Sequence, residues 1–182
     1  MYNLPNFITL ARLFSVPLIV WLVATGHLNA AFWLFVASGV SDAVDGFLAR
    51  RWNLVSRLGS ILDPIADKAL LVSSFIVLGI SGYVPLWLVI LVVSRDILII
   101  GAFSLSGLLG QDTEVHPIFI SKINTTTQIC LVMAILGDRT FDFVWTSAVQ
   151  PLTYLVAVTT LLSGAAYLRR WFGQQTDVQR GK

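Results

Sequence analysis

The chain has 182 residues, of which 56% are hydrophobic and only 12% charged; its mean hydropathy is +0.80, whereas about a quarter of an ordinary soluble domain is charged. This excludes a soluble globular domain and indicates an integral membrane protein, and a net charge of +2 is too small to attract nucleic acid. The single cysteine, Cys130, excludes an intramolecular disulfide.

Six apolar stretches follow in order, near residues 5–26, 29–48, 58–80, 84–109, 118–136 and 143–168. Each is close to the ~20 residues that a helix needs to cross ~30 Å of hydrocarbon. The expected fold is all-α, an integral membrane protein of six transmembrane helices in one domain over 1–172, with a mobile C-terminal tail at 173–182. Met1 to Phe7 carries no basic segment, so the first stretch is not expected to be a cleaved signal. If the spans alternate, Arg12, Arg50, Arg51, Arg57, Lys68, Lys122, Arg169, Arg170, Arg180 and Lys182 fall at one face and Arg139 at the other. By the positive-inside rule the basic face is cytoplasmic.

Four of the ten acidic residues lie between residues 41 and 69, on that same side. Asp42 and Asp45 are spaced i,i+3 near the end of the second span, and Gly46 and Ala49 continue their helical face. Gly59, Asp63 and Asp67 form a matching stripe at i,i+4,i+8 in the third span. A connection of about ten residues makes the two helices expected antiparallel neighbours. Pro64 places Asp63 at a helix start or a kink.

Four carboxylates gathered near lipid repel one another and require a cation between them. Hard oxygen ligands without His or Cys suit Mg²⁺, Mn²⁺ or Ca²⁺, and four acids suffice for two ions. Mg²⁺ is commonly held by one or two carboxylates together with substrate phosphates, so a phosphate-bearing substrate is expected. Gly46 and Ala49 leave room beside the ions, and Arg50 offers a planar fork for phosphate oxygens.

The pattern Asp42-x2-Asp45-Gly46-x2-Ala49-Arg50-x8-Gly59-x3-Asp63-x3-Asp67 resembles the signature of the CDP-alcohol phosphotransferase family at every defined position. The resemblance implies transfer of a substituted phosphate from a CDP-linked donor to an alcohol with release of CMP, in a homodimer of six-span protomers. It implies that Asp42, Asp45, Asp63 and Asp67 hold two divalent ions, Mg²⁺ or Mn²⁺, with Asp67 also accepting the hydroxyl proton. Gly46, Arg50 and Ser56 fall where the family contacts the CDP group, with Ala49 and Gly59 lining the same donor site. Leu4-Pro5-Asn6-Phe7 resembles a further donor-binding stretch, which Thr9 and Arg12 would extend.

Ser94-Arg95-Asp96 and Phe119 to Thr125 are similar to the phosphotransferase-type cardiolipin synthases. This implies CDP-diacylglycerol as donor and phosphatidylglycerol as acceptor, in a bacterial inner membrane with the site facing the cytosol. Phosphatidylglycerophosphate synthases, which use glycerol 3-phosphate, commonly carry a second lysine where this chain has Asn124. Arg95, Lys122 and Asn124 are the expected acceptor-binding residues. Arg95 and Asp96 are not expected to pair, because adjacent helical residues point about 100° apart. Asn124, Thr125 and Gln128 have a competing reading as hydrogen bonds between helices, and Lys122 as a snorkelling interfacial charge. A cation transporter would spread its acids across the bilayer rather than cluster them at one face. A membrane prenyltransferase would lack the Asp-Gly-x2-Ala-Arg arrangement.

Overall fold

Apolar runs that end at glycines determine the turns at one end of the bundle. The computed structural model describes the backbone of residues 4–52, 57–108, 119–141 and 146–180, and the side chains of 10–44, 63–101, 119–138, 140–141 and 148–169. Within these are six helices: α1 (Leu4–Ala24), α2 (Leu28–Trp52), α3 (Arg57–Ile80), α4 (Leu86–Leu108), α5 (Phe119–Phe141) and α6 (Thr146–Arg180). After α1, Gly26 adopts φ 78°, its N–H donates to Val23 O at 3.1 Å, and His27 N–H donates to Leu22 O at 2.8 Å. Gly82 repeats this after α3, with φ 78° and with Tyr83 N–H donating to Leu78 O at 2.9 Å. In both turns the positive φ, which only glycine adopts without strain, lets the chain satisfy the last helical carbonyls and reverse.

The helices match the six apolar stretches closely, with two differences. Helix α3 starts at Arg57 and contains Pro64, so Asp63 does not open it; interior proline is tolerated in membrane helices because neighbouring groups satisfy the freed carbonyl. Helix α6 continues to Arg180, past the apolar run that ends near residue 168, since a helix can extend through polar residues once its apolar part is formed. Among the described residues two segments are long and apolar enough by themselves to cross a bilayer, Phe119–Asp138 and Ala148–Arg169, and shorter apolar runs occur over Leu10–Ala24 and Leu28–Val44.

Helix α1 packs against both α2 and α3, α5 against α2, α3 and α6, and α4 against α3 and α6. Among the described residues α2 and α3 do not touch, which corrects the expectation of direct neighbours: α1 stands between them. The core where these helices meet is built on Ile19, Phe35, Phe75, Leu78, Leu88, Leu131, Leu136 and Val156. Gly79 lets α3 approach α4 closely, since a Cβ there would lie 2.6 Å from Val89 Cγ2. Phe14, Trp21, Trp33, Ile90, Leu161 and Leu162 instead face outward. An apolar exterior around an apolar core suits hydrocarbon surroundings.

Candidate active site

The end of the bundle opposite the two glycine turns holds most of the charged side chains among the described residues. Arg12 lies on α1 among apolar residues, and its side chain is 3% exposed. A cation at such a place requires anionic partners, and it has one on each flanking helix. Arg12 Nη2 lies 2.5 Å from Asp42 Oδ1 on α2, and Arg12 Nη1 donates to Asp67 Oδ1 on α3 at 2.7 Å. Its backbone carbonyl accepts from Ser15 Oγ at 2.6 Å, whose hydroxyl in turn accepts from Ser38 Oγ at 3.1 Å. These two serines join α1 to α2 directly beneath the ion pairs.

The acids themselves are open. The Asp42 side chain is 38% exposed and that of Asp67 50%, so each keeps surface for a ligand while one oxygen is bound to the guanidinium. Asp63 is partly buried on α3, four residues before Asp67. The converging donors are carboxylate oxygens, the hard ligand type that suits Mg²⁺ or Mn²⁺, and Arg12 shows that this place accommodates positive charge. By ligand type these residues suit a divalent ion, although among the described residues no three such side chains converge on one point. Asp45 lies on α2 three residues after Asp42, and Gly46, Ala49 and Arg50 follow on the same helix; Gly59 lies on α3 and Leu4, Pro5, Asn6 and Phe7 on α1. The side chains of these nine residues, and Ser56 altogether, lie outside the described residues.

A second polar centre occupies α4, α5 and α6. Arg95 and Asp96 are both 5% exposed, and Arg95 Nη1 donates to Asp96 Oδ1 at 2.7 Å. The expectation that these neighbours would not meet is corrected: the 100° rule describes where side chains leave the helix, and a long arginine bends back across it. Arg95 Nη2 also donates to Ser121 Oγ at 2.7 Å and to Ser163 Oγ, and its guanidinium lies 5.8 Å from the centre of the Tyr167 ring. From α3, Lys68 Nζ reaches Asp96 Oδ2 at 2.7 Å. One carboxylate thereby links α3 to the Arg95 cluster.

Of the other residues expected at the acceptor, Lys122 is exposed on α5. Asn124 is fully buried, and its Oδ1 accepts from Thr159 Oγ1 at 3.0 Å and Thr160 Oγ1 at 2.8 Å. It joins α5 to α6, the competing reading of that residue. Sequence reasoning did not find the bridging role of Arg12 or the partners Ser121, Ser163 and Tyr167. The available signals were an arginine alone in an apolar helix and the polar stripe Thr159, Thr160, Ser163 along α6.

Residues 2–163 match the family model described as CDP-alcohol phosphatidyltransferase. The chain belongs to that family. Among curated relatives of this family it is 32% identical over 198 residues to a cardiolipin synthase (CMP-forming) of Rattus norvegicus, covering 100% of this chain and 65% of the relative. It is 35% identical over 181 residues to a cardiolipin synthase/mitochondrial hydrolase fusion protein of Schizosaccharomyces pombe, of which it spans 30%. Against a CDP-diacylglycerol–glycerol-3-phosphate 3-phosphatidyltransferase of Bacillus subtilis it is 31% identical over 195 residues, covering 97% of this chain and 100% of that enzyme. The chain thus spans less than two thirds of the cardiolipin synthases it matches here and the whole of the bacterial relative.

Proposed function

We propose that the protein transfers the phosphatidyl group of CDP-diacylglycerol to the free hydroxyl of phosphatidylglycerol, giving cardiolipin and CMP. It would do so as a homodimer whose protomers each cross a bacterial inner membrane six times, with the site toward the cytosol. The observation that supports this reading is the single guanidinium of Arg12 bound to Asp42 and Asp67, because it joins one acid from each stripe of the family pattern.

In this scheme Asp42, Asp45, Asp63 and Asp67 hold two divalent ions, Mg²⁺ or Mn²⁺. Such ions, when bound, neutralise the donor's diphosphate and the departing CMP. Leu4, Pro5, Asn6, Phe7, Gly46, Ala49, Arg50, Ser56 and Gly59 receive the CDP group, the small residues giving room and Arg50 a fork for phosphate oxygens. Asp67, half exposed, takes the proton of the acceptor hydroxyl. As that O–H bond breaks, the oxygen bonds to the lipid-bearing phosphorus and the bond from this phosphorus to CMP breaks. Lys122, exposed on α5, supplies positive charge toward the acceptor's phosphate, while Arg95, held by Asp96, Ser121 and Ser163, and Asn124 contribute by fixing the helices around the acceptor.

A second reading takes glycerol 3-phosphate as acceptor and is favoured by the end-to-end match to the Bacillus subtilis relative. Purified protein given CDP-diacylglycerol with phosphatidylglycerol or with glycerol 3-phosphate, in separate reactions, tests both. Cardiolipin and CMP from the first mixture support the main reading, and phosphatidylglycerophosphate from the second supports the alternative. Absence of CMP from both would reject the enzyme assignment.

A further inference from the structure

We infer that Lys68, directly after Asp67 on α3, is a side chain that meets the acceptor's phosphate. This rests on the reading above and deepens it by naming the contact that selects the acceptor class.

Lys68, Arg95 and Asp96 together hold two positive charges and one negative, because Asp96 gives Oδ1 to Arg95 and Oδ2 to Lys68. A surplus cation in this partly enclosed setting favours an incoming anion. The two cations are not equally available. Arg95 is 5% exposed, and its Nη groups are engaged by Asp96, Ser121 and Ser163, so turning it toward a ligand would break several buried contacts at once. The Lys68 side chain is 38% exposed. An ammonium carries three donors; the Asp96 contact occupies one side of it, and the others can meet phosphate oxygens. Asp96 and, through it, Arg95 then act as positioning residues that hold the ammonium in place.

The position along α3 sets Lys68 beside the proposed base. Adjacent helical residues rise by about 1.5 Å and diverge by about 100°, so the Asp67 carboxylate and the Lys68 ammonium leave the same turn in separate directions. In a glycerol phosphate, a terminal hydroxyl and the phosphate-bearing oxygen occupy opposite ends of a three-carbon chain. With the hydroxyl at Asp67, Lys68 is the neighbouring cation on α3 for the phosphate at the headgroup's other end. Glycerol 3-phosphate and phosphatidylglycerol share this chemistry, the first as a soluble monoester and the second as a lipid diester.

The test uses the full-length protein in detergent micelles, as wild type, Lys68→Met and Lys68→Arg. Turnover with CDP-diacylglycerol is measured against phosphatidylglycerol and against glycerol 3-phosphate. Thermal melting is measured with glycerol 3-phosphate or glycerophosphoglycerol, the deacylated headgroup. Lys68→Met is expected to raise the KM of the accepted substrate roughly 10- to 100-fold, the scale of losing a hydrogen bond to a charged group, with kcat and donor KM changed less than threefold. It should also abolish the headgroup-induced rise in Tm, and Lys68→Arg should restore most of both effects. The arm in which the effect appears identifies monoester or diester as the source. An unchanged acceptor KM, or an equal rise in donor KM, would overturn the assignment. If the wild type turns over neither acceptor, the proposed activity falls, and the melting arm still decides: no headgroup-induced shift in wild type, or an equal shift in Lys68→Met, removes Lys68 as the contact.

Discussion

Around Arg12 the cation is enclosed, at 3% exposure, and its acids are open, Asp42 at 38% and Asp67 at 50%; around Arg95 the cation and Asp96 are both enclosed at 5%. Both centres consist of arginine and aspartate, and both lie toward the same end of the bundle. Their difference is in who faces outward. An open carboxylate anchored at one oxygen can take a ligand at the other, whereas a closed pair with serine hydroxyls at its flanks fixes helices against one another. The first centre is suited to chemistry; in the second the closed Arg95–Asp96 pair is suited to holding α4, α5 and α6 in register, with the partly exposed Lys68 at its edge.

That contrast is broken most directly at Asp67. Asp67→Asn keeps an oxygen to accept from Arg12 Nη1, so the bridge between α1 and α3 survives, but the amide cannot take a proton. Turnover measured as CMP release is expected to fall about 10²- to 10⁴-fold, the usual contribution of a general base, with Tm nearly unchanged. Wild-type turnover in this variant would remove Asp67 as the base, and a large loss of Tm would mean that the open centre is as structural as the closed one.

Asp96→Asn makes the opposite change. It leaves Arg95 buried without its counter-charge, and breaking such a pair costs about 3–5 kcal/mol; the share due to Lys68 is smaller because that side chain is partly exposed. Thermal or denaturant melting should show a clear loss of stability. Unchanged melting would show that the Arg95 cluster does not brace the bundle.

The helices and the acidic motif could be read from the sequence because each depends on local order along the chain. Hydropathic runs give the apolar segments, and i,i+3 or i,i+4 spacing places acids on one face whatever surrounds them. The contacts that assemble the site are not local. That α1 packs against both α2 and α3, which do not touch among the described residues, depends on how the bundle packs and not on the short connection between them. The Arg95–Asp96 pair is not legible in the spacing, because spacing rules describe the helix surface and not the reach of a long side chain. The end of α6 extends past the apolar run because hydropathy reports contact with lipid, while helix formation also depends on backbone propensity.

Arg12→Met sharpens the comparison from the other side, by removing the cation and sparing the acids. Asp42 and Asp67 would then repel each other, and because both are more than a third exposed the cost is expected to be about 1–3 kcal/mol, below that of a fully buried pair. If Arg12 occupies a place suited to divalent ions, Mg²⁺ or Mn²⁺ should raise the Tm of Arg12→Met more than that of wild type. An equal rise in both proteins would mean that the ions bind away from Arg12.

The smallest effect is expected where the closed half depends on neutral hydroxyls. Thr160→Val keeps the shape of a side chain that is 1% exposed and removes one of the two hydroxyl donors to Asn124 Oδ1. Hydrogen bonds between membrane helices average about 0.6 kcal/mol, and Thr159 still donates to the same oxygen, so the loss in a melting experiment should be well under 1 kcal/mol. A loss of 2 kcal/mol or more would mean that Asn124 and its threonines act as one cooperative unit joining α5 to α6. The closed half would then owe its rigidity to this amide as much as to the Arg95 ion pair, and the division between a charged brace and neutral packing would have to be redrawn along α6.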